Sequence, residues 1–132
     1  MKDYPGYIIL KALGPVFRIM PLRLNLFLGR RLGDLIYFFN KKHKAIAFAN
    51  IKRALGDRIS LSEIKTITKG SFRSFGQNVI DIFLIPLLNK KYIARYIHLE
   101  GRENIEEAFK KGKGVIFLSV HAGSWELSNA IC

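Results

Sequence analysis

The chain has 132 residues, room for one domain, and its 22 Lys+Arg against 10 Asp+Glu give a formal net charge of +12. With 49% hydrophobic and 24% charged residues it is too apolar for a disordered polycation, which excludes a histone-like tail or an RNA-binding arm. Its one cysteine, Cys132, excludes a disulfide framework and a cysteine-ligated structural zinc site, and fits a reducing, cytosol-facing compartment.

The charge is uneven along the chain. Residues 1–60 carry 12 basic and 3 acidic side chains, residues 61–99 carry 6 and 2, and residues 100–132 carry 4 and 5. The basic excess therefore falls on the part richest in Leu, Ile and Phe, a pairing that points to an anionic membrane surface before it points to nucleic acid. A spanning helix needs about 20 mostly apolar residues. Lys11, Arg18, Arg23, Arg30, Arg31 and Asp34 interrupt every long run between Tyr4 and Asn40, and Gly14, Pro15 and Pro21 break it further. Two short helical pieces are expected, near 7–12 and 22–39. In the second, Leu24, Phe27, Leu28, Leu32, Leu35, Ile36 and Phe39 follow helical spacing while Arg23, Arg30, Arg31 and Asp34 fall mainly elsewhere. That pattern describes an interfacial amphipathic helix, and equally a core-facing helix of a bundle. Lys2 is offset by Asp3 and no small-residue cleavage site follows an apolar core, so no signal peptide is read.

The basic run Lys41, Lys42, His43, Lys44 leads into a short helix over 45–55, ended by Gly56 and Asp57. It is either a solvated helix start or a contact for lipid headgroups or an acidic protein. Ser60 and Glu63 then form a Ser-x-x-Glu capping box. A long helix is expected from there to Pro86, with Leu61, Ile64, Ile67, Phe72, Phe75, Val79, Ile82 and Phe83 as its apolar positions and Gly70 and Gly76 marking close packing of another backbone.

After Pro86 the pattern reads as strand 93–99, helix 102–111 and buried strand 114–120, with Val115, Ile116, Phe117 and Leu118 consecutively apolar, then a helix from about Ser124. This is the β-α-β-α start of a wound α/β domain. The expected organisation is an amphipathic membrane-associated region over 1–40, a helical region over 41–90 and the opening of an α/β catalytic domain over 91–132. Two strands do not make a stable sheet and the chain stops inside an apolar helix, so a fragment of a longer protein is expected.

The chemistry-bearing stretch is His121-Ala122-Gly123-Ser124-Trp125-Glu126. On one regular helix His121 and Glu126 would lie about 140° apart. With His121 ending a strand, a turn at Gly123 and Glu126 in the first helical turn, the carboxylate folds back on the imidazole, fixing its tautomer and stabilising the imidazolium. The plainer alternative is that Glu126 compensates the helix dipole and His121 is a polar strand end. Ser124 reads as a helix cap rather than a nucleophile, and Trp125 as packing. His43 and His98 have no carboxylate at such spacing.

The stretches Gly101-Arg102-Glu103-Asn104-Ile105-Glu106, Gly112-Lys113-Gly114-Val115-Ile116-Phe117-Leu118 and His121 to Leu127 resemble the bacterial lipid A biosynthesis (lauroyl/myristoyl) acyltransferase family of the lysophospholipid acyltransferase superfamily. The resemblance extends to Asn50-Ile51 and to 22–39. The family's hallmark, a His and an acidic residue separated by four positions, is present as His121 and Glu126; family members usually have Asn where Ser124 stands and often a bulkier residue at Ala122. The resemblance implies transfer of a fatty acyl group from acyl carrier protein, or coenzyme A, to a hydroxyl of a lipid A precursor or related glycolipid, with no metal and no cofactor beyond the acyl thioester co-substrate. His121 would act as general base with Glu126 as its partner, and backbone amides near Gly123 and Ser124 would receive a phosphate or oxyanion. A later arginine-bearing block that holds the acceptor's phosphate in the family has no match before Cys132, so the 132 residues alone are expected to be inactive. The expected partners are acyl carrier protein, the glycolipid acceptor and an anionic membrane surface, with Arg23, Arg30, Arg31, Lys41, Lys42 and Lys44 as anion contacts, at the cytoplasmic face of a bacterial inner membrane. Nucleic acid is not expected, because aromatics do not interleave with basic residues on a strand platform. The alternative of another class is a non-catalytic basic protein that binds a membrane surface or nucleic acid.

Overall fold

The computed structural model describes residues 4–56, 58–98, 100–118 and 123–131, with only the backbone of Pro5 and Ile9. The helices in chain order are α1 (Tyr4–Ile19), α2 (Leu22–Phe39), α3 (Lys41–Leu55), α4 (Leu61–Leu84), α5 (Lys90–Tyr96), α6 (Arg102–Lys110) and α7 (Trp125–Ile131), with a 3-10 turn at Ile85–Leu87 after α4. Among the described residues there is no strand.

That finding overturns the expected α/β class. The segment read as a strand over 93–99 lies mostly in α5, which Asn89 starts by accepting a 2.9 Å hydrogen bond from the Tyr92 amide. The run 114–118 has no regular structure, and Ile116 and Leu118 are 92% and 98% exposed. Four consecutive apolar residues carry β potential, but a strand exists only where a neighbour completes its hydrogen-bond ladder, and none of the described residues does so.

α4 is the central element, with α1, α2, α3 and α7 all against it. Its start is local chemistry: the Glu63 amide donates to Ser60 Oγ, and the Ser60 amide donates to Glu63 Oε2 at 2.7 Å, closing the capping box. Its buried residues are Ile64, Thr68, Phe72, Gly76, Ile80 and Leu84, a stripe of period four. Leu61, Ile67, Phe75 and Ile82, expected on the apolar face, are exposed.

The facing stripe on α2 is Asn25, Gly29 and Gly33, again at fours. A Cβ on Gly29 would come 2.7 Å from Gln77 Cα; one on Gly33 would strike Phe72 O and come 2.6 Å from Arg73 Cα; one on Gly76 would strike Gly29 O. The two helices run antiparallel, main chain against main chain, which small residues alone permit. Gly76 thus marks a close approach, while Gly70 has nothing within 4 Å.

Burial of small residues turns the large ones outward. Leu24, Phe27, Leu35, Phe38 and Phe39 of α2 are exposed, the last at 74%. α1 shows the same habit at Tyr7, Leu10, Val16 and Ile19. α1 is longer than expected and passes through Pro15; Pro15 and Lys11, whose carbonyl loses its i+4 donor, both lie on the exposed side, where water can satisfy the oxygen. Pro21 likewise leaves the Phe17 carbonyl without its helical donor, and buried Asn25 supplies the substitute through Nδ2 at 2.7 Å. Phe17 stacks on Phe83 at 5.0 Å, fixing α1 against the end of α4.

Candidate active site

The two ends of the expected pair are not equally placed. His121 lies outside the described residues, whereas Gly123, Ser124 and Glu126 are described and sit against the C-terminal half of α4. Gly123 has φ +63°, a left-handed turn that glycine adopts without strain, and Ser124 closes the first turn of α7 by accepting at its carbonyl from the Ser128 amide.

Two residues of α4 meet this turn. Asn78 Nδ2 donates to the Gly123 carbonyl at 2.6 Å, across 45 residues of chain. Asp81 is half-buried beside Ser124 and Glu126. Burial raises its carboxyl above the ordinary carboxylate range; the Ser124 hydroxyl, which approaches without closing a well-formed hydrogen bond, draws it down, and the Glu126 charge pushes it up. Ser124 Oγ and Glu126 Oε2 are shielded from solvent and have no hydrogen-bond partner among the described residues. From α5, Tyr92 joins the group, its hydroxyl pKa raised by burial, by the Asp81 charge and by Tyr96.

Sequence reasoning missed Asn78, Asp81 and Tyr92. A signal existed at the first two: an Asn and an Asp three positions apart, on one side of a helix otherwise rich in Ile, Val and Phe.

The basic residues are elsewhere. Arg23 and Arg30 lie exposed on α2, and Arg31 sits over the Phe27 ring and 3.5 Å from Asp34. Lys41 and Lys42 are exposed in the first turn of α3, and Lys44 covers the Tyr37 ring. The α3 helix therefore starts at the basic run itself, capped by Asn40 Oδ1, which accepts from the His43 amide. His98 stands 3.5 Å from Glu100, both at the surface. A groove of about 530 Å³ between α2, α3 and α4, floored by Ile36, Phe72 and Phe75, contains none of the residues around Asp81. No described helix is long and apolar enough to cross a membrane.

Similarity to known proteins agrees with the family resemblance read from the sequence. The chain is 25% identical over 112 residues to the lipid A biosynthesis palmitoleoyltransferase of Escherichia coli K12, and equally to the lipid A biosynthesis acyltransferase of Shigella flexneri; the match covers 85% of this chain and 36% of each relative. The chain thus spans about a third of the length of these curated relatives. No solved structure matches. Residues 2–132 match the bacterial lipid A biosynthesis acyltransferase family, and the chain belongs to it.

Proposed function

We propose that the protein is an O-acyltransferase that moves a fatty acyl group from the thioester of acyl carrier protein, or coenzyme A, to a hydroxyl of a lipid A precursor or related glycolipid. The observation that carries the reading is the His121-x4-Glu126 spacing within a family match that runs over residues 2–132. A sugar or hydroxyacyl hydroxyl is a poor nucleophile at neutral pH. His121 takes its proton as the oxygen attacks the thioester carbonyl, the tetrahedral adduct collapses with expulsion of the thiolate, and the imidazolium returns the proton to that sulfur. Glu126, shielded from water at Oε2, orients the imidazole and stabilises its charged form.

The surface supports a membrane-side location. Large apolar residues point outward on α1 and α2 among arginines, the composition of an interfacial anchor on anionic lipid. The first turn of α3 supports it independently. Lys41, Lys42 and Lys44 stand at the positive end of a helix dipole with no acidic residue in that turn, an arrangement unfavourable by about 0.3–1 kcal/mol per charge. Local stability does not select it, whereas an anionic surface does.

The test is acyl transfer from a radiolabelled acyl-carrier-protein thioester in the full-length protein. His121→Ala should lower transfer by orders of magnitude while membrane binding stays unchanged. Transfer retained at the parent rate would remove the assignment of His121, and a parent protein that transfers nothing would leave the basic surface-binding protein as the better account.

A further inference from the structure

We infer that Asn78 and Asp81 of α4 are positioning residues for the catalytic turn Gly123–Glu126, Asn78 by its 2.6 Å hydrogen bond to the Gly123 carbonyl and Asp81 by its place three residues on, where α4 packs against α7. The inference rests on the acyltransferase reading, which makes that turn catalytic.

The argument is one of placement. The turn lies at the surface: Gly123 is exposed, α7 is two turns long, and the segment 114–118 before it has no regular structure. α4, by contrast, is the best anchored element of the molecule, with its Gly76 one turn before Ile80 locked against α2. A general base and its carboxylate partner need geometry held to fractions of an ångström, so a surface turn gains from attachment to a well-anchored element. Asn78 and Asp81, three residues apart, are where that attachment is made. Asn78 fixes the backbone at the residue that makes the turn. Asp81 lies three residues on, half-buried on the part of α4 that packs against α7, where its carboxyl interacts with Ser124, with Glu126 and with Tyr92 of α5.

The chemistry of the cluster is not that of a structural tie alone. Native proteins leave few shielded oxygens unpartnered, and here two occur within three residues, on Ser124 and Glu126. An acid placed beside another acid is also unfavourable for stability. Both features fit a site arranged for a reaction rather than for the fold.

The experiment uses the full-length protein with Asn78→Ala and Asp81→Asn, alongside His121→Ala and Glu126→Gln. Asn78→Ala should lower kcat about tenfold to a hundredfold with KM little changed. Asp81→Asn, nearly isosteric, removes the carboxyl beside the turn and its charge, so the acid limb of kcat/KM should move to lower pH. Trp125, the one tryptophan of residues 1–132, reports the turn without any activity once tryptophans elsewhere in the full-length protein are replaced by Phe. Acrylamide quenching of its fluorescence should rise in Asn78→Ala while the far-UV circular dichroism stays at the parent value. If His121→Ala and Glu126→Gln abolish transfer while the α4 variants keep parent kcat, pH profile and quenching, the positioning role is wrong and the acyltransferase reading stands. If the parent itself transfers nothing, the acyltransferase reading fails; if His121→Ala and Glu126→Gln leave transfer intact, the turn is not catalytic and the positioning role falls with it, and unchanged Trp125 quenching in Asn78→Ala would remove the anchoring as well.

Discussion

Asp34 of α2 accepts two hydrogen bonds from the single guanidinium of Arg73 on α4, from Nε at 2.7 Å and from Nη2 at 3.1 Å, with Arg31 and Lys69 at 3.5 and 3.9 Å. The fork-to-fork pairing joins the same two helices as the glycine seam, with Asp34 next to Gly33 and Arg73 about one turn from Gly76. The Arg73 hydrogen bond does most to hold the Asp34 carboxyl below its ordinary range, against partial burial, and the charges of Arg73, Lys69 and Arg31 add to it. A carboxyl whose pKa is lower folded than unfolded contributes stability above its unfolded value, and that contribution is lost as pH falls through the folded value. Asp34→Asn should therefore be less stable than the parent at pH 7, with the difference shrinking below about pH 4; urea unfolding at a series of pH values measures it.

Two glycines on one helix should respond oppositely to the same change. Gly76→Ala puts a methyl into the main chain of Gly29 and Gly33, and overpacking of that kind costs about 1–3 kcal/mol. Gly70→Ala meets nothing within 4 Å and should gain about 1 kcal/mol from helix propensity. Chemical denaturation of the two variants decides it, and equal effects would mean that the seam does not bear on stability.

Reversing the first turn of α3 should separate stability from surface binding. Lys41→Glu with Lys42→Glu places acids at the positive end of the dipole, raising stability by about 0.5 kcal/mol or more. The same variant should bind vesicles of phosphatidylglycerol and phosphatidylethanolamine more weakly than the parent in a sedimentation assay. A variant that loses both properties would show that these lysines pack rather than present charge.

Phe38 and Phe39, 70% and 74% exposed, should be dispensable for folding and needed for lipid. Their joint replacement by Ser should change unfolding free energy by no more than about 0.5 kcal/mol per site, as ordinary surface changes do. Vesicle partitioning should fall at least tenfold, since each ring buried in the interface contributes about 1.5–3 kcal/mol. Unchanged partitioning would place the lipid contact elsewhere.

Features decided by a few adjacent residues were legible in the sequence. The Ser60–Glu63 box and the bounds of α2 follow from local spacing, and both are present. Periodicity of apolar residues was a poorer guide to burial. On α4 it pointed to Leu61, Ile67, Phe75 and Ile82, whereas a close helix pair buries what is small, Gly76 and Thr68 among them, and leaves bulky neighbours outside. Strand assignment failed for a different reason: Val115 to Leu118 have the same hydropathy paired or unpaired, and pairing is a property of distant chain. The Asn78–Gly123 contact was invisible on the same ground. His121, the residue on which the sequence argument turned, lies outside the described residues.

The glycine seam divides the letters of α2 into two independent texts. Every fourth position answers to the neighbouring backbone and admits almost no alternative, while the exposed positions, Leu24, Phe27, Leu35, Phe38 and Phe39, answer to whatever surrounds the molecule. Selection can thus rewrite the outward text, trading aromatic for aliphatic or arginine for lysine to suit a different envelope, without reopening the question of how the helices dock. The practical corollary is a graft: the outward residues of another family member's helix, set between Gly29 and Gly33 of this one, should yield a protein that folds as the parent does and carries the donor's surface preference.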